Sequence, residues 1–228
     1  MRTNYKNISF FHRLKDKWQR RNKGNILLLI KNYYYYFKIK IFSEIKFKRQ
    51  HLIAQIKEDS IIGEIGVWKG EFSKRILDHA KPNFFFLVDS WIFDKKVRGC
   101  APQVQGQEPI NQQFFDDAYN ETSLKFVDCK NVVIYKNNSI EASKFFDNNY
   151  FDYIYIDAEH SYKAVKQDLD IWYPKLKKNG YIFGDDYHWR ENDYSLSVEK
   201  AYQEFFKLKN ITNWCVFKSQ IIFKKNEN

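Results

Sequence analysis

Cysteine is scarce in this chain, and its pattern excludes two kinds of site. Cys100, Cys129 and Cys215 are the only three cysteines among 228 residues. They are odd in number and far apart, so they suit neither a disulfide framework nor the paired cysteines of a zinc site. Such usage is typical of a protein in a reducing compartment. We therefore expect a cytoplasmic protein.

Long apolar runs are also missing. The apolar run at residues 26–30 is interrupted by Lys31, and Lys38 and Lys40 follow it, well short of the roughly 20 residues that span a bilayer. No small-residue cleavage site follows an apolar stretch, so we expect no secretory signal peptide. The sequence has neither an internal repeat nor a Gly/Ser-rich linker. Its length suits one α/β domain with an extension.

Acidic residues are nearly absent from the first fifty positions. This segment holds 14 Lys and Arg residues against two acids, Asp16 and Glu44, whereas the remaining residues carry a net charge of −2. An enzyme that acts on nucleic acid usually carries its basic residues around the catalytic cleft. The distribution therefore argues against a nucleic-acid partner. The charge distribution favours an accessory contact made by the N-terminal segment. One alternative is peripheral docking of this segment at an anionic membrane surface.

We predict that residues 1–55 form a basic, aromatic helical extension and that residues 56–228 form the catalytic domain. Four apolar residues of the extension recur at helical spacing: Phe10, Phe11, Leu14 and Trp18. A second helical stretch is predicted over residues 25–47, with apolar residues on several sides. Two alternatives remain open for this segment. Either it packs on the catalytic domain or on a second subunit in a homo-oligomer, or it docks at a membrane.

From residue 60 onwards, short apolar runs alternate with amphipathic segments. The predicted strands are residues 60–67, 84–88, 132–135, 153–156 and 181–184, with a terminal hairpin of 214–217 and 220–223. The predicted helices are residues 70–79, 140–146, 162–176 and 197–208, the third ended by a C-cap at Asn179-Gly180. This alternation predicts a Rossmann-like, doubly wound, mostly parallel sheet with helices on both faces and an antiparallel C-terminal strand. Ligands bind such sheets at the carboxyl ends of the strands.

The first of these strands runs into a glycine turn that suits a bound cofactor. Gly66 and Gly70 lack a β-carbon, so the backbone there can approach a ligand closely. Glu64 precedes them, where a carboxylate can accept a hydrogen bond from a cationic amine. The spacing matches neither the dinucleotide G-x-G-x-x-G motif nor a phosphate-binding loop. Structural need alone explains many glycine turns, so the turn is a weak signal by itself.

Two further strand ends strengthen the cofactor prediction. The next strand ends in Asp89, followed by Ser90, and an acid at this place commonly binds ribose hydroxyls. Asp89 alone could equally cap a helix or form a turn. After the following strand, Asn138 and Ser139 open a helix, where they are candidates for an adenine contact. Simple N-capping by Ser139 is the alternative.

Three acids predict a metal site at the same edge of the sheet. Asp157 ends one apolar strand, and Asp185-Asp186 ends the next. If these strands are neighbours, their spacing of about 4.8 Å brings the three carboxylates to one rim, where they repel each other unless a cation offsets the charge. Oxygen ligands favour a hard ion such as magnesium. The alternative makes Asp157 a helix cap and Asp185-Asp186 a polar loop.

Together these motifs resemble the class I S-adenosylmethionine-dependent methyltransferases. E-x-G-x-x-x-G (residues 64–70) and the acid ending the second strand carry the resemblance. I-D-x-x-H-x-Y (156–162), P-x-L-x-x-x-G (174–180) and G-D-D-Y (184–187) are similar to the metal-dependent macrocin and sugar O-methyltransferase group. The resemblance covers about residues 60–190. It implies S-adenosylmethionine as cofactor, bound partly by Asp157, and Asp157, Asp185 and Asp186 as ligands of a divalent metal, with magnesium expected.

The predicted reaction is methyl transfer to a hydroxyl of a sugar, a glycan or a small natural product. His160 is the first candidate for the general base, because imidazole titrates near working pH. His160 could instead orient a ligand, and His188 is the second candidate. Residues 91–115, which include Arg98, form a polar insertion interpreted as a substrate lid or a surface loop. Two other functions stay open: a nucleic-acid methyltransferase, and an inactive, membrane-docked scaffold of the same fold.

Overall fold

The computed structural model describes residues 22–42, 49–94, 110–190 and 196–226. The strands within these ranges are β1 (Asn22–Gly24), β2 (Ile61–Ile65), β3 (Phe84–Asp89), β4 (Val132–Lys136), β5 (Phe151–Ile156), β6 (Leu176–Gly184), β7 (Trp214–Phe217) and β8 (Gln220–Lys224). The helices are α1 (Ile26–Phe42), α2 (Gln50–Ile53), α3 (Glu71–Ala80), α4 (Gln112–Phe126), α5 (Ser139–Ser143), α6 (Tyr162–Trp172) and α7 (Ser197–Lys209).

All eight described strands belong to one sheet, in the order β1-β7-β8-β6-β5-β2-β3-β4. The five strands from β2 to β6 run parallel to one another, whereas β8 runs antiparallel to β6, and β7 antiparallel to β8. The predicted Rossmann-like sheet with an antiparallel C-terminal strand is therefore confirmed. Because β2 lies between β5 and β3, strand order reverses there, and this is where such folds bind ligands.

Helices cover both faces of the sheet. Alternate residues of each strand point to opposite faces, so each strand contributes to both buried clusters. In β3, Phe86 and Val88 belong to a buried cluster that also contains residues of α5, α6 and α7, among them the fully buried Trp172. Phe85 and Leu87 face the other way and pack with apolar residues of the helices from α1 to α4. The unbroken apolar runs of the strands follow from this two-sided burial.

The first described residues belong to the same sheet. β1 pairs antiparallel with β7, and Tyr33 and Tyr36 of α1 pack edge-on against Phe217. The strand at β1 was not predicted. The predicted helical stretch over residues 25–47 is found as α1, and residues 43–48 lie outside the described ranges, as does the helix predicted around Phe10 to Trp18. The division of the chain after residue 55 stays a prediction.

Two predicted boundaries are wrong by four residues or more: the strand predicted over residues 181–184 begins at Leu176, and the helix predicted before it ends too late. The helix predicted to run to residue 176 ends at Trp172, because Pro174 has no N–H group with which to continue an α-helix. Asn179-Gly180 is not a helix C-cap but lies within β6, where the pairing with β5 shifts register. Asn179 has φ +64°, a left-handed conformation that asparagine tolerates better than most residues. The Asn-Gly pair thus marks a strand irregularity.

Candidate active site

A cavity of about 530 Å³ lies at the carboxyl ends of β2, β3, β4 and β5. Its volume is typical of a small-molecule site. Seven residues predicted to bind a cofactor or to act in catalysis line it: Gly66, Asp89, Ser90, Asn138, Ser139, Asp157 and His160. Ile92, Asp94 and Phe115, at the two ends of the predicted substrate lid, also line it, while residues 95–109 between them lie outside the described ranges. The sheet topology thus places strand ends that are distant in the sequence around one cavity.

Gly66 is required by the packing of the chain itself. Its φ is +90°, and a β-carbon at this position would lie 2.1 Å from the carbonyl oxygen of Asp157. Only glycine allows β2 to turn this close to the segment that follows β5. Gly70, which precedes α3, also has a positive φ of 69° and lies close to Phe126, but it does not line the cavity.

Asp89 holds the turn after β2 in place. Its Oδ2 accepts hydrogen bonds from the backbone N–H groups of Val67 and Trp68, at 2.8 and 2.9 Å. Its Oδ1 accepts from the N–H of Trp91 at 3.0 Å. A carboxylate has about four lone-pair sites, so this carboxylate retains acceptor capacity towards the cavity that it lines.

Asn138 and Ser139 have different roles at the start of α5. The N-cap of α5 is Asn138, whose Oδ1 accepts from the backbone N–H of Glu141 at 2.9 Å. N-capping by Ser139 is therefore wrong. The Ser139 hydroxyl instead donates to Asp168 and accepts from Trp172 Nε1 at 2.7 Å. Ser139 thereby couples the cavity wall to α6.

Asp168 also lines the cavity, although its sequence position did not predict this. It is 5% exposed, and burial raises its pKa to about 7, opposed by the hydrogen bond from Ser139. Asp168 shares the buried face of α6 with Val165, Leu169 and Trp172. A carboxylate among apolar residues at helical spacing is a signal that could have revealed it.

Glu64 does not line the cavity. It is buried, beside Tyr155 in the register of β2 and β5, and its Oε2 has no hydrogen-bond partner in the described part of the chain. Burial raises the pKa of Glu64 to about 8. Glu64 is therefore not placed to contact a ligand in the cavity directly, and its predicted hydrogen bond from a cationic amine stays a prediction.

The carboxylates of Asp157 and Asp185 meet at the rim, as β5 and β6 are neighbours in the sheet. Arg49 lies between them. Its Nη1 donates to Asp157 Oδ2 at 2.9 Å, and its Nη2 pairs with Asp185 Oδ2 at 3.1 Å. The Tyr155 hydroxyl lies 3.3 and 3.2 Å from the same two oxygens. The cation at this cluster is thus a guanidinium, which the sequence analysis did not foresee.

The charges at the rim depend on one another. Burial and repulsion by Asp185 raise the pKa of Asp157, while Arg49 opposes the rise. Burial would lower the pKa of Arg49, but Tyr155, Asp185 and Asp157 together raise it above its ordinary value. Removing any one charge therefore perturbs the others.

His160 lies between two of the acids. Its Nε2 is 3.6 Å from Asp157 Oδ1 and 3.7 Å from Asp186 Oδ2, and its ring packs on Trp189. Asp186 is half exposed and has φ +46°. His188 does not line the cavity, and its Nδ1 lies 3.6 Å from Glu199 Oε2 of α7. The geometry places only one of the two candidate bases at the cavity.

A model of the family described as "Methyltransferase domain" matches residues 64–187, which is more than half of the chain. The match contains every strand end that forms the cavity. The chain belongs to this family. It is a class I S-adenosylmethionine-dependent methyltransferase.

Solved structures that align with a TM-score of 0.50 or more share the fold of this methyltransferase. A Corynebacterium glutamicum protein has a TM-score of 0.55 at 10% identity, over 95% of this chain and 97% of its own. The O-methyltransferase NovP has a TM-score of 0.50 at 15% identity, over 73% and 72%. A spermidine synthase from Thermotoga maritima matches 75% of this chain at 16% identity and a TM-score of 0.47, and this chain spans only 55% of that protein. No curated protein matches the chain.

The cavity of this methyltransferase fits its cofactor. Asp89, Ser90 and Asn138 offer polar groups on one part of the wall, and Ile65, Val88 and Ile140 are among its apolar residues. A ligand with a ribose and a flat base needs such a mixed wall. The individual roles predicted for these residues remain predictions.

The acid cluster, formed by the carboxylates of Asp157 and Asp185, does not fit a divalent metal as the cavity fits the cofactor. No group of three or more His, Cys, Asp or Glu residues in the described ranges is arranged to hold a metal ion. Asp157 and Asp185 converge as predicted, but on Arg49. The structure therefore does not support the predicted magnesium site.

Proposed function

We propose that this methyltransferase methylates a hydroxyl oxygen of a sugar, a glycan or a small natural product, as in the macrocin O-methyltransferase group. The observation that carries the proposal is His160, which lines the cavity between the carboxylates of Asp157 and Asp186. A histidine beside carboxylates is suited to take a proton from a hydroxyl. The I-D-x-x-H-x-Y and G-D-D-Y motifs agree with this substrate class.

In the proposed mechanism the chain orients the acceptor and removes its proton. Bound S-adenosylmethionine supplies an electrophilic methyl group. His160 Nε2 accepts the proton of the acceptor hydroxyl, and the carboxylates of Asp157 and Asp186 stabilise the imidazolium that results. Ile92 and Phe115 add apolar surface to the cavity wall. We assign no step to a divalent metal, because Arg49 already binds Asp157 and Asp185; the metal stays a prediction from the sequence.

Methyl transfer from labelled cofactor tests this proposal, with nucleotide sugars, glycans, small phenols and RNA as acceptors. We expect label on a hydroxyl compound. His160→Gln should lower kcat by about 10²- to 10⁴-fold and leave the dissociation constant of S-adenosylmethionine, measured by calorimetry, unchanged. The exposed His79 of α3 provides the control substitution His79→Gln, which should leave kcat unchanged.

Three results would contradict the proposal. Full activity of His160→Gln would remove the base that we assign. Transfer to RNA alone would favour a nucleic-acid methyltransferase. Absence of cofactor binding would favour the inactive scaffold.

A further inference from the structure

The geometry points to Arg49 as the resident cation of the acid cluster, a positioning residue that takes the place predicted for a divalent metal. Its side chain reaches the cluster from the N-cap position of α2, 108 residues before Asp157 in the chain, and pairs with carboxylates that follow two neighbouring strands. The planar guanidinium offers parallel donors, which suits two converging carboxylates better than a single ammonium does.

The acceptor sites of Asp185 leave little room for a metal ion. Its Oδ1 accepts from the backbone N–H of Asp186 at 2.8 Å and from Gln220 Nε2 at 2.9 Å. Its Oδ2 contacts Arg49 and the Tyr155 hydroxyl. A carboxylate has about four lone-pair sites, and donors from the chain face both oxygens of this one. A divalent ion would have to displace at least one of them.

Arg49 also packs against two aromatic rings. Its guanidinium lies 5.0 Å from the ring centre of Phe72 and 5.7 Å from that of Tyr155. Its backbone, at the N-cap of α2, has φ +66°, an uncommon conformation for an arginine. The side chain is thus fixed by aromatic contacts, by two carboxylates and by its own backbone, as a positioning role requires.

Metal binding and stability test this inference independently of activity, so they also separate it from the proposed function. Electron paramagnetic resonance should detect no manganese bound to the wild-type protein at millimolar metal, and magnesium should not shift its thermal midpoint. Arg49→Met should lower the midpoint by about 5 °C or more, because two partly buried carboxylates lose their cation. Millimolar magnesium should restore part of this loss, which it could not do if Arg49 merely filled space.

Two further variants sharpen the result. Arg49→Lys keeps the charge, so its thermal midpoint should lie closer to that of the wild type than to that of Arg49→Met. Lys144→Met removes an exposed ion pair with Glu141 and should change the midpoint little, with no response to magnesium. Stoichiometric manganese binding by the wild-type protein that is lost in Asp185→Asn would overturn the inference. So would a midpoint of Arg49→Met equal to that of the wild type.

A separate observation concerns the outer face of α1. Five large apolar residues on this face are at least half exposed: Ile26 62%, Leu27 72%, Ile30 57%, Tyr34 58% and Phe37 50%. The opposite face, with Leu28 and Leu29, is buried against the sheet. A continuous exposed apolar face of this kind marks an interaction surface.

The charged side chains of α1 itself are all of one sign. α1 contains no acidic residue, and Lys31 and Lys38 follow one edge of its apolar stripe. Burial lowers the pKa of Lys31, and repulsion by the nearby Lys224 and Lys57 lowers it further. The first fifty residues as a whole carry a net charge of +12. A partner that is both apolar and anionic would complement this face.

We infer that an anionic lipid surface is this partner. α1 would lie in the plane of the interface, with Leu27 and Ile30 among the acyl chains and Lys31 and Lys38 at the level of the headgroups. No helix in the described ranges is long and apolar enough to cross a membrane.

Vesicle co-sedimentation tests this inference with the full chain. The protein should bind vesicles of phosphatidylcholine with about 30 mol% phosphatidylglycerol and lose binding at high salt. The double variant Leu27→Asp/Ile30→Asp should bind at least about tenfold more weakly, and because both residues are exposed it should fold. Leu124→Asp, at the equally exposed Leu124 of α4 (74%), should bind like the wild type.

Unchanged binding of the double variant would overturn this inference, and so would equal binding to pure phosphatidylcholine. A wild-type dimer without vesicles that the double variant converts to a monomer would assign the face to a second copy of the chain instead.

Discussion

Glu64 is a buried carboxylic acid whose protonation depends on folding. Burial raises its pKa to about 8, from about 4.5 in an unfolded chain. Between these values the folded protein binds more protons than the unfolded one, so the stability contributed by neutral Glu64 is present below pH 4.5 and is lost as pH rises towards 8. Each unit of pKa difference corresponds to about 1.4 kcal/mol.

Glu64→Gln removes this ionisation, so its stability should fall less between pH 5 and pH 9 than that of the wild type. We expect the difference between the two free energies of unfolding to change by at least about 2 kcal/mol over this range. Urea unfolding at several pH values measures it. Glu58→Gln, at an exposed residue, is the control. Parallel pH profiles of Glu64→Gln and wild type would show that Glu64 is ionised throughout.

Single residues show where prediction from sequence succeeds and where it stops. The meeting of Asp157 and Asp185 was predictable, because each follows a buried strand and the two strands are neighbours. The cation between them was not. Arg49 lies in a segment with many basic residues, and nothing in the local pattern distinguishes it from the others. Its role arises from a contact between distant parts of the chain.

Secondary structure elements were predictable where burial shapes the local pattern. β3 and β5 are continuous apolar runs because both faces of the sheet are covered. β1 is three residues, Asn22–Gly24, without an apolar pattern, and it exists only because it pairs with β7 at the edge of the sheet. The end of α6 was misplaced because Asn179-Gly180 was taken as a cap signal, whereas Pro174 ends the helical stretch.

At the scale of the whole molecule, charge and structure divide the chain differently. The net charge of +12 is confined to the first fifty residues, which suggested a separate extension. In the structure, β1 extends the catalytic sheet, α1 covers β7, and Arg49 completes the acid cluster at the cavity rim. The described part of the basic segment is therefore joined to the methyltransferase fold by pairing, packing and charge.

This continuity predicts that the described part of the extension unfolds together with the sheet. Gly24 has φ +103°, and a β-carbon there would lie 2.2 Å from the carbonyl oxygen of Trp214. Gly24→Val should break the pairing of β1 with β7 and lower the free energy of unfolding by at least about 2 kcal/mol. Urea unfolding followed by circular dichroism and by tryptophan fluorescence should still give one coincident transition.

The control for Gly24→Val is Lys23→Ala in the same strand. It removes a partly exposed ion pair, with Lys23 Nζ 2.7 Å from Glu199, and should cost less than about 1 kcal/mol. If Gly24→Val leaves the midpoint unchanged, or if a separate early transition appears, β1 and α1 form an independent unit. The boundary after residue 55 would then be a structural one. If the single transition instead shifts to lower urea, the cooperative domain includes β1 and α1 and begins before Arg49. The described part of the basic segment then belongs to the enzyme's fold.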